Sequence, residues 1–156
     1  MYPLQIREPV NYIIMSDRHT PEQRRFNMQQ IKGTNTKPEI LLRKLLFSKG
    51  FRYRINNKNL PGKPDIVLKK YNTVIFVNGC FWHGHENCRY YVIPKTRTEF
   101  WTDKINGNKK RDKKNIELLI QMGWKVITVW ECELKKDKVD QTVEQLIHEL
   151  HNNLLA

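Results

Sequence analysis

Between Asn78 and Lys95 the chain shows no hydrophobic period, yet Cys80, His83, His85 and Cys88 fall within nine residues of one another. Cys132 follows further along. Four residues separate Cys80 from His85 and two separate His85 from Cys88. With Cys132 they make a Cys3His set, a common composition for a structural, tetrahedral Zn2+ site. Such a metal would pin a loop too polar and too long to pack by itself, and it would account for all three cysteines at once. The competing reading is three unrelated reduced thiols beside surface histidines. His83 stands apart from this set. It lies two residues from His85, and on an extended segment the two side chains point in opposite directions. It is either a surface histidine or an imidazole free for other chemistry.

Carboxylates supply the second group. Asp65 follows Pro64 where a turn enters a strand, and a rigid proline there holds the acid in a fixed pose suited to Mg2+. An ordinary turn aspartate is the alternative. Glu39 stands early in a helix and could reach the same site, although as the third residue of a capping box with Thr36 it needs no catalytic role. Asp112 lies in the charged run Lys109-Lys110-Arg111-Asp112-Lys113-Lys114, where composition favours a solvated face or a local ion pair. Phosphodiester cleavage needs a cation to neutralise developing charge and a base to activate water. Asp65 as metal ligand, His83 as base and Asp112 orienting the imidazole would meet both needs.

The elements that must position these groups follow from periodicity. Thr20-Pro21-Glu22-Gln23 reads as a capped helix start, with the helix running to about Ile31 and ending at Gly33. A second start at Thr36-Lys37-Pro38-Glu39 leads into Ile40, Leu41, Leu45 and Leu46 at core spacing and stops at Gly50. Phe51 to Ile55 alternates as a strand with one buried face. Leu60 to Pro64 is a turn, Asp65 to Leu68 a strand, and Thr73 to Val77 an apolar run suited to a sheet centre. One or two helices are expected between Thr98 and Met122, with a break near Asn106-Gly107. Trp124 to Trp130 reads as another buried strand, with both tryptophans in the core, and a last helix covers 139–151. Helices alternating with strands imply an α/β domain with a mixed sheet. Residues 1–18 read as an N-terminal extension and 19–156 as one domain.

Composition narrows the partner. The 156 residues carry 28 Lys plus Arg against 16 Asp plus Glu, a formal charge of +12. That excess favours a polyanion, nucleic acid before membrane. The longest apolar runs are strand-sized, far too short to span a bilayer, and the first residues lack the apolar core of a secretion signal. An odd cysteine count argues against a disulfide framework and for a reducing compartment, so a cytoplasmic protein is expected. Phe81-Trp82 and Phe100-Trp101 sit in polar, aperiodic surroundings, where aromatics either wedge between bases or pad a site. Arg24, Arg25, Lys32, Lys37, Lys63, Arg97, Lys109, Lys110 and Arg111 are candidate phosphate contacts.

Several ordered motifs then meet in one family. Leu60-Pro61-Gly62-Lys63-Pro64-Asp65, Val74-Ile75-Phe76, Gly79-Cys80-Phe81-Trp82-His83, Pro94 to Trp101, Gly123-Trp124 and Val129-Trp130-Glu131-Cys132 together resemble the very short patch repair (Vsr) endonucleases, over roughly Arg18 to Cys132. The resemblance implies a restriction-endonuclease-like three-layer fold, a central mixed sheet flanked by helices, with a structural zinc. It implies an Mg2+-dependent nick 5′ to the thymine of a T:G mismatch left by deamination of 5-methylcytosine. By that resemblance Asp65 is the central Mg2+ ligand, the Val77 backbone carbonyl a second contact, His83 the general base and Asp112 its support. Cys80, His85, Cys88 and Cys132 hold zinc. Glu39 and Asn108 assist through metal-bound waters. Phe81, Trp82 and Trp101 match aromatics that intercalate beside the mismatch, and Met28 and Ile31 match apolar residues of a helix inserted from the minor groove.

The implied partners are double-stranded DNA carrying a T:G mismatch, repair proteins and a cognate cytosine-5 methyltransferase. The chain would act as a monomer associated with the bacterial nucleoid. The sequence departs from the family at four places. Asn78 stands where a second active-site histidine is expected, and Val77 where a threonine is usual. Gly84 to Cys88 is one residue longer than the usual zinc loop, and about 14 residues at the start have no counterpart. The lysine of PD-(D/E)xK nucleases is absent, as expected if His83 replaces it. Two other readings stand beside this one: a restriction-type endonuclease cutting intact duplex, and a non-catalytic zinc-stabilised DNA-binding module.

Overall fold

The structure is a computed structural model that describes residues 20–155, so the expectations for the N-terminal extension lie outside the described residues. The chain divides into two units, Met1–Lys32 and Gly33–Ala156. In the first, helix α1 (Pro21–Gln29) opens with the expected reciprocal cap. The Gln23 amide donates to Thr20 Oγ1 at 3.2 Å, and the Thr20 amide donates to Gln23 Oε1 at 2.9 Å. No α1 residue is buried.

The second unit is built on a four-stranded sheet of β1 (Arg54–Ile55), β2 (Ile66–Leu68), β3 (Thr73–Asn78) and β4 (Lys125–Trp130), in that order across the sheet. β1–β2 and β2–β3 are antiparallel, while β3–β4 is parallel, with Ile75 opposite Ile127 and Asn78 opposite Trp130. A parallel neighbour requires a crossover, and here helix α3 (Thr98–Gln121) provides it. Helices α2 (Lys37–Ser48) and α4 (Val139–Leu155) complete the unit.

The period of two along each strand sorts the core onto two faces. Ile66, Leu68, Ile75, Val77, Ile127 and Val129 pack with Leu42 and Leu46 of α2 and Val143, Leu146 and Leu150 of α4. Val67 and Val74 turn the other way to meet Leu119 of α3 and Leu60, with Phe76, Trp124 and Val126 at the edge. Leu42 and Leu46 are fully enclosed. Truncating either to alanine removes about 2–5 kcal/mol through lost transfer energy and the cavity left behind.

Four local expectations change. α3 runs unbroken for 24 residues through Asn106-Gly107. A mid-helix glycine costs only about 1 kcal/mol, and Ile105 and Leu119, both fully buried, anchor the rod on either side. The strand expected over 51–55 pairs only at Arg54 and Ile55. Phe51 is buried instead through ring contacts with Tyr71 and His151. Thr36 makes no side-chain cap, because its hydroxyl donates to Glu39 Oε1 rather than accepting an amide. Trp130 is only half-buried; it lies flat against the His85 ring at 4.0 Å. Among the described residues no helix is long and apolar enough to cross a membrane.

Candidate active site and metal centre

Asp65 emerges from the turn as expected. Lys63, exposed and in the left-handed region at φ 50°, and the buried Pro64 aim it at the start of β2. Its Oδ2 accepts the Val77 amide from β3 at 2.7 Å. That bond lays the Val77 backbone against the carboxylate, and among the described residues Oδ1 has no hydrogen-bonded protein partner. Burial pushes the Asp65 carboxyl up to about 6; the Glu39 charge adds to this, while the Val77 amide, Arg43 and His83 oppose it. A half-buried acid with one oxygen fixed and one open fits a hard divalent cation, which would offset the burial.

His83 sits in a turn after β3, its amide bonded to the Gly79 carbonyl. Its Nδ1 lies 2.5 Å from Asp112 Oδ2, both side chains about three-quarters buried. An ionised carboxylate has no proton to give, so Nδ1 donates and Nε2 is the nitrogen left to accept. Asp112 is therefore no solvated member of the charged run. One helical turn earlier on α3, Asn108 Nδ2 donates to the Trp82 carbonyl at 2.8 Å, and its Oδ1 accepts from Arg111. The same helix face thus holds two consecutive residues of the loop.

Glu39 is buried, and both of its oxygens are engaged. It accepts the Asn35 amide at 2.8 Å, the Thr36 hydroxyl at 2.8 Å and Arg43 Nη2 at 3.1 Å. Sequence reasoning passed over Arg43. The signal was a Glu-x-x-x-Arg pair inside an otherwise apolar helix, which reads as a surface ion pair until burial is known.

The Cys80, His85, Cys88 and Cys132 ligand atoms all lie within 4.8 Å of one another. His85 Nδ1 is 3.5 Å from Cys132 Sγ. Three sulfurs and one imidazole at this spacing fit tetrahedral zinc. Burial raises the Cys80 and Cys132 thiols above their ordinary range, so thiolates there call for a cation beside them. Gly84, at φ +62°, links the two histidines and lies so close to α3 that an added Cβ would come 2.9 Å from Ile105 and Lys109. Lys109 also bonds Glu86 at 2.5 Å across the same seam.

Phe81, Trp82 and Trp101 form one half-exposed aromatic cluster with ring centroids 5.1–6.1 Å apart. Arg97, the left-handed residue before α3, lies 4.5 Å over the Phe100 ring. On α1 and just beyond it, Met28 and Ile31 are 47% and 48% exposed, and Phe26, which sequence reasoning did not single out, is 60% exposed. Arg24 and Arg25 lie on the same helix and are exposed.

Comparison with known proteins bears directly on these groups. The family described as DNA mismatch endonuclease Vsr matches residues 16–89. Type II nicking enzyme V.NmeAIP of Neisseria meningitidis serogroup A is 50% identical over 137 residues, 87% of this chain and 97% of its own length. Type II nicking enzyme V.XorIIP of Xanthomonas oryzae pv. oryzae is 49% identical over 120 residues, 77% of this chain and 88% of its own. DNA mismatch endonuclease Vsr of Escherichia coli is 44% identical over 121 residues, 78% of this chain and 77% of its own. Shared sequence of this extent, over a chain that gathers an acid, a supported imidazole and a Cys3His cluster, establishes that the protein belongs to the Vsr family of DNA endonucleases.

Proposed function

We propose that this chain nicks one DNA strand 5′ to the thymine of a T:G mismatch, such as deamination of 5-methylcytosine leaves, in an Mg2+-dependent reaction. The observation that supports the reading is that one end of β3 serves both groups: Asp65 Oδ2 accepts the Val77 amide, and the turn that follows the strand carries His83, whose ring Asp112 holds at Nδ1. Asp65 Oδ1 and the Val77 carbonyl are the groups that would hold Mg2+. When bound, the cation supplies charge neutralisation at the scissile phosphate. His83 Nε2 takes a proton from the attacking water, and Asp112 keeps the other ring proton on Nδ1 and stabilises the charge that forms. Glu39 and Asn108 would assist through metal-bound waters, and Asn108 also steadies the Trp82–His83 peptide.

The sheet with helices on both faces supports a restriction-endonuclease-like fold, and residues 19–156 are read as one endonuclease domain. Zinc at Cys80, His85, Cys88 and Cys132 would be structural. The aromatic cluster of Phe81, Trp82 and Trp101 would wedge beside the mismatch, with Met28 and Ile31 entering from the minor groove. Arg24, Arg25, Lys63 and Arg97 would contact phosphates. A cognate cytosine-5 methyltransferase and repair proteins are the expected companions, in the cytoplasm.

The test is to compare a T:G duplex with its fully paired counterpart, with and without Mg2+. A single Mg2+-dependent nick 5′ to the thymine, absent from paired DNA, supports the reading. Cleavage of both strands of paired DNA favours a restriction-type enzyme, and binding with no cleavage under any divalent metal favours a DNA-binding module.

A further inference from the structure

Arg43 is a cation enclosed in the core-facing side of α2, 7% exposed. Its guanidinium reaches four acceptors on three stretches of chain: the start of α2, the residue after β1 and the residue before β2. Nη1 donates to Asn35 Oδ1 at 2.7 Å, and Nη2 to Glu39 Oε2 at 3.1 Å, to the Asp65 backbone carbonyl at 3.2 Å and, at the longer distance of 3.5 Å, to Asn56 Oδ1. Asn35 and Asn56 both occupy left-handed backbone, at φ 56° and 46°. Two turns in an uncommon conformation therefore present their amide oxygens to one guanidinium. Its Nε is buried with no partner among the described residues.

A buried ion pair of this kind is a poor device for stability alone. Desolvation consumes most of the attraction, and well-packed apolar residues usually serve as well. What apolar residues would not do is bond the Asp65 carbonyl and neutralise Glu39 beside a second carboxylate. The planar fork satisfies several acceptors at once in fixed directions, which a lysine cannot reproduce. Asp65 is then clamped at two points, its carbonyl by Arg43 and its Oδ2 by the Val77 amide.

We infer that Arg43 is a positioning residue for the cation site: it fixes the Asp65 backbone and holds Glu39 neutralised, so that Asp65 Oδ1 faces a divalent metal in a set direction. The inference rests on the reading of Asp65 as the metal ligand. Partners of this sort around a metal ligand change metal affinity by about 10–100-fold when removed.

Its test is Mn2+ titration of the zinc-loaded protein, followed by electron paramagnetic resonance, on wild type, Arg43→Lys and Asp65→Asn. Melting temperature and metal-free affinity for a T:G duplex are measured alongside. Arg43→Lys is expected to weaken Mn2+ binding about tenfold, with duplex affinity and melting temperature held close to wild type. Unchanged Mn2+ affinity in a folded Arg43→Lys protein overturns the positioning role while leaving the proposed activity intact. A variant in which melting temperature, duplex affinity and Mn2+ binding fall together also overturns it, since that is the mark of a residue needed only for folding. Asp65→Asn that binds Mn2+ like wild type removes the metal-ligand reading itself, and the inference falls with it.

Discussion

His83 and His85 share one short loop but answer to different parts of the molecule. His83 bonds α3 through Asp112, whereas His85 lies against Trp130 at the end of β4 and shares a cluster with three cysteines. Gly84 between them is pressed onto α3, with no room for a side chain. The difference shows how a cluster able to hold a metal and an imidazole with one nitrogen left to accept can be neighbours in sequence while facing different elements. The cluster joins the loop to the residues after β4, and α3 fixes the ring's direction.

Substitutions at the two histidines break this comparison most sharply. His83→Ala should lower nicking of a T:G duplex by about 10^3-fold, with zinc content and melting temperature retained; nicking within threefold of wild type would remove His83 from the reaction. Asp65→Asn should lose at least as much, since it deletes the charge that holds the cation. His85→Ala and Cys88→Ser should do the opposite in order of cause. Zinc is lost first, and stability falls by several kcal/mol because metal binding is part of the folding free energy. Zinc analysis and thermal melting check this, and a variant with full zinc and an unshifted melting point would contradict it.

Asp112→Asn leaves the imidazole in place but loses its charged support, and it should cost about 10^2-fold in nicking with little change in DNA binding. Acidity probes the same half of the site. Asp65 titrates near 6 in the fold, above its ordinary 3.8, because it is buried. Below about pH 6 a divalent cation must displace a proton, so apparent Mg2+ affinity should fall about tenfold per pH unit there and level off above. The sign for metal-free stability is the reverse. With the folded value raised, ionised Asp65 costs stability at neutral pH, and that cost fades as pH drops from about 6 toward 4. Melting curves with and without Mg2+ at pH 5 and pH 7.5 read both trends. The smallest expected effect is at the hinge between the regions: Gly84→Ala, strained in backbone and crowded by Ile105, should destabilise by about 1–3 kcal/mol. Thermal melting measures it.

These two regions also differ in how much of each the chain's sequence revealed. Cysteine and histidine are scarce, so their clustering between residues 80 and 88, with Cys132 beyond, marked a candidate metal-ligand set before any fold was known, and the turn after β4 brings Cys132 to the other three. The acid side was harder. By composition Asp112 looked like one charge in a solvated run; the family resemblance set it behind His83, and the packing of α3 beside the loop supplies the contact. Arg43 drew no notice, because its four-residue spacing from Glu39 says nothing about which side of the helix is covered. Glu39 read equally as a cap residue or a site residue, because Thr36 could have accepted an amide; instead the Thr36 hydroxyl donates a hydrogen bond to the Glu39 carboxylate. The Asn106-Gly107 break failed for a related reason, since local propensity was outweighed by two buried anchors.

One rod of helix carries a final consequence. Asn108 grips the carbonyl of Trp82 while Asp112, a turn further on, grips the ring of His83. These are adjacent links of the chain held by adjacent turns of a rigid lever, so neither can be displaced without dragging the other. A shift of the peptide that joins positions 82 and 83 would therefore strain both bonds to the helix at once and change the aim of the imidazole.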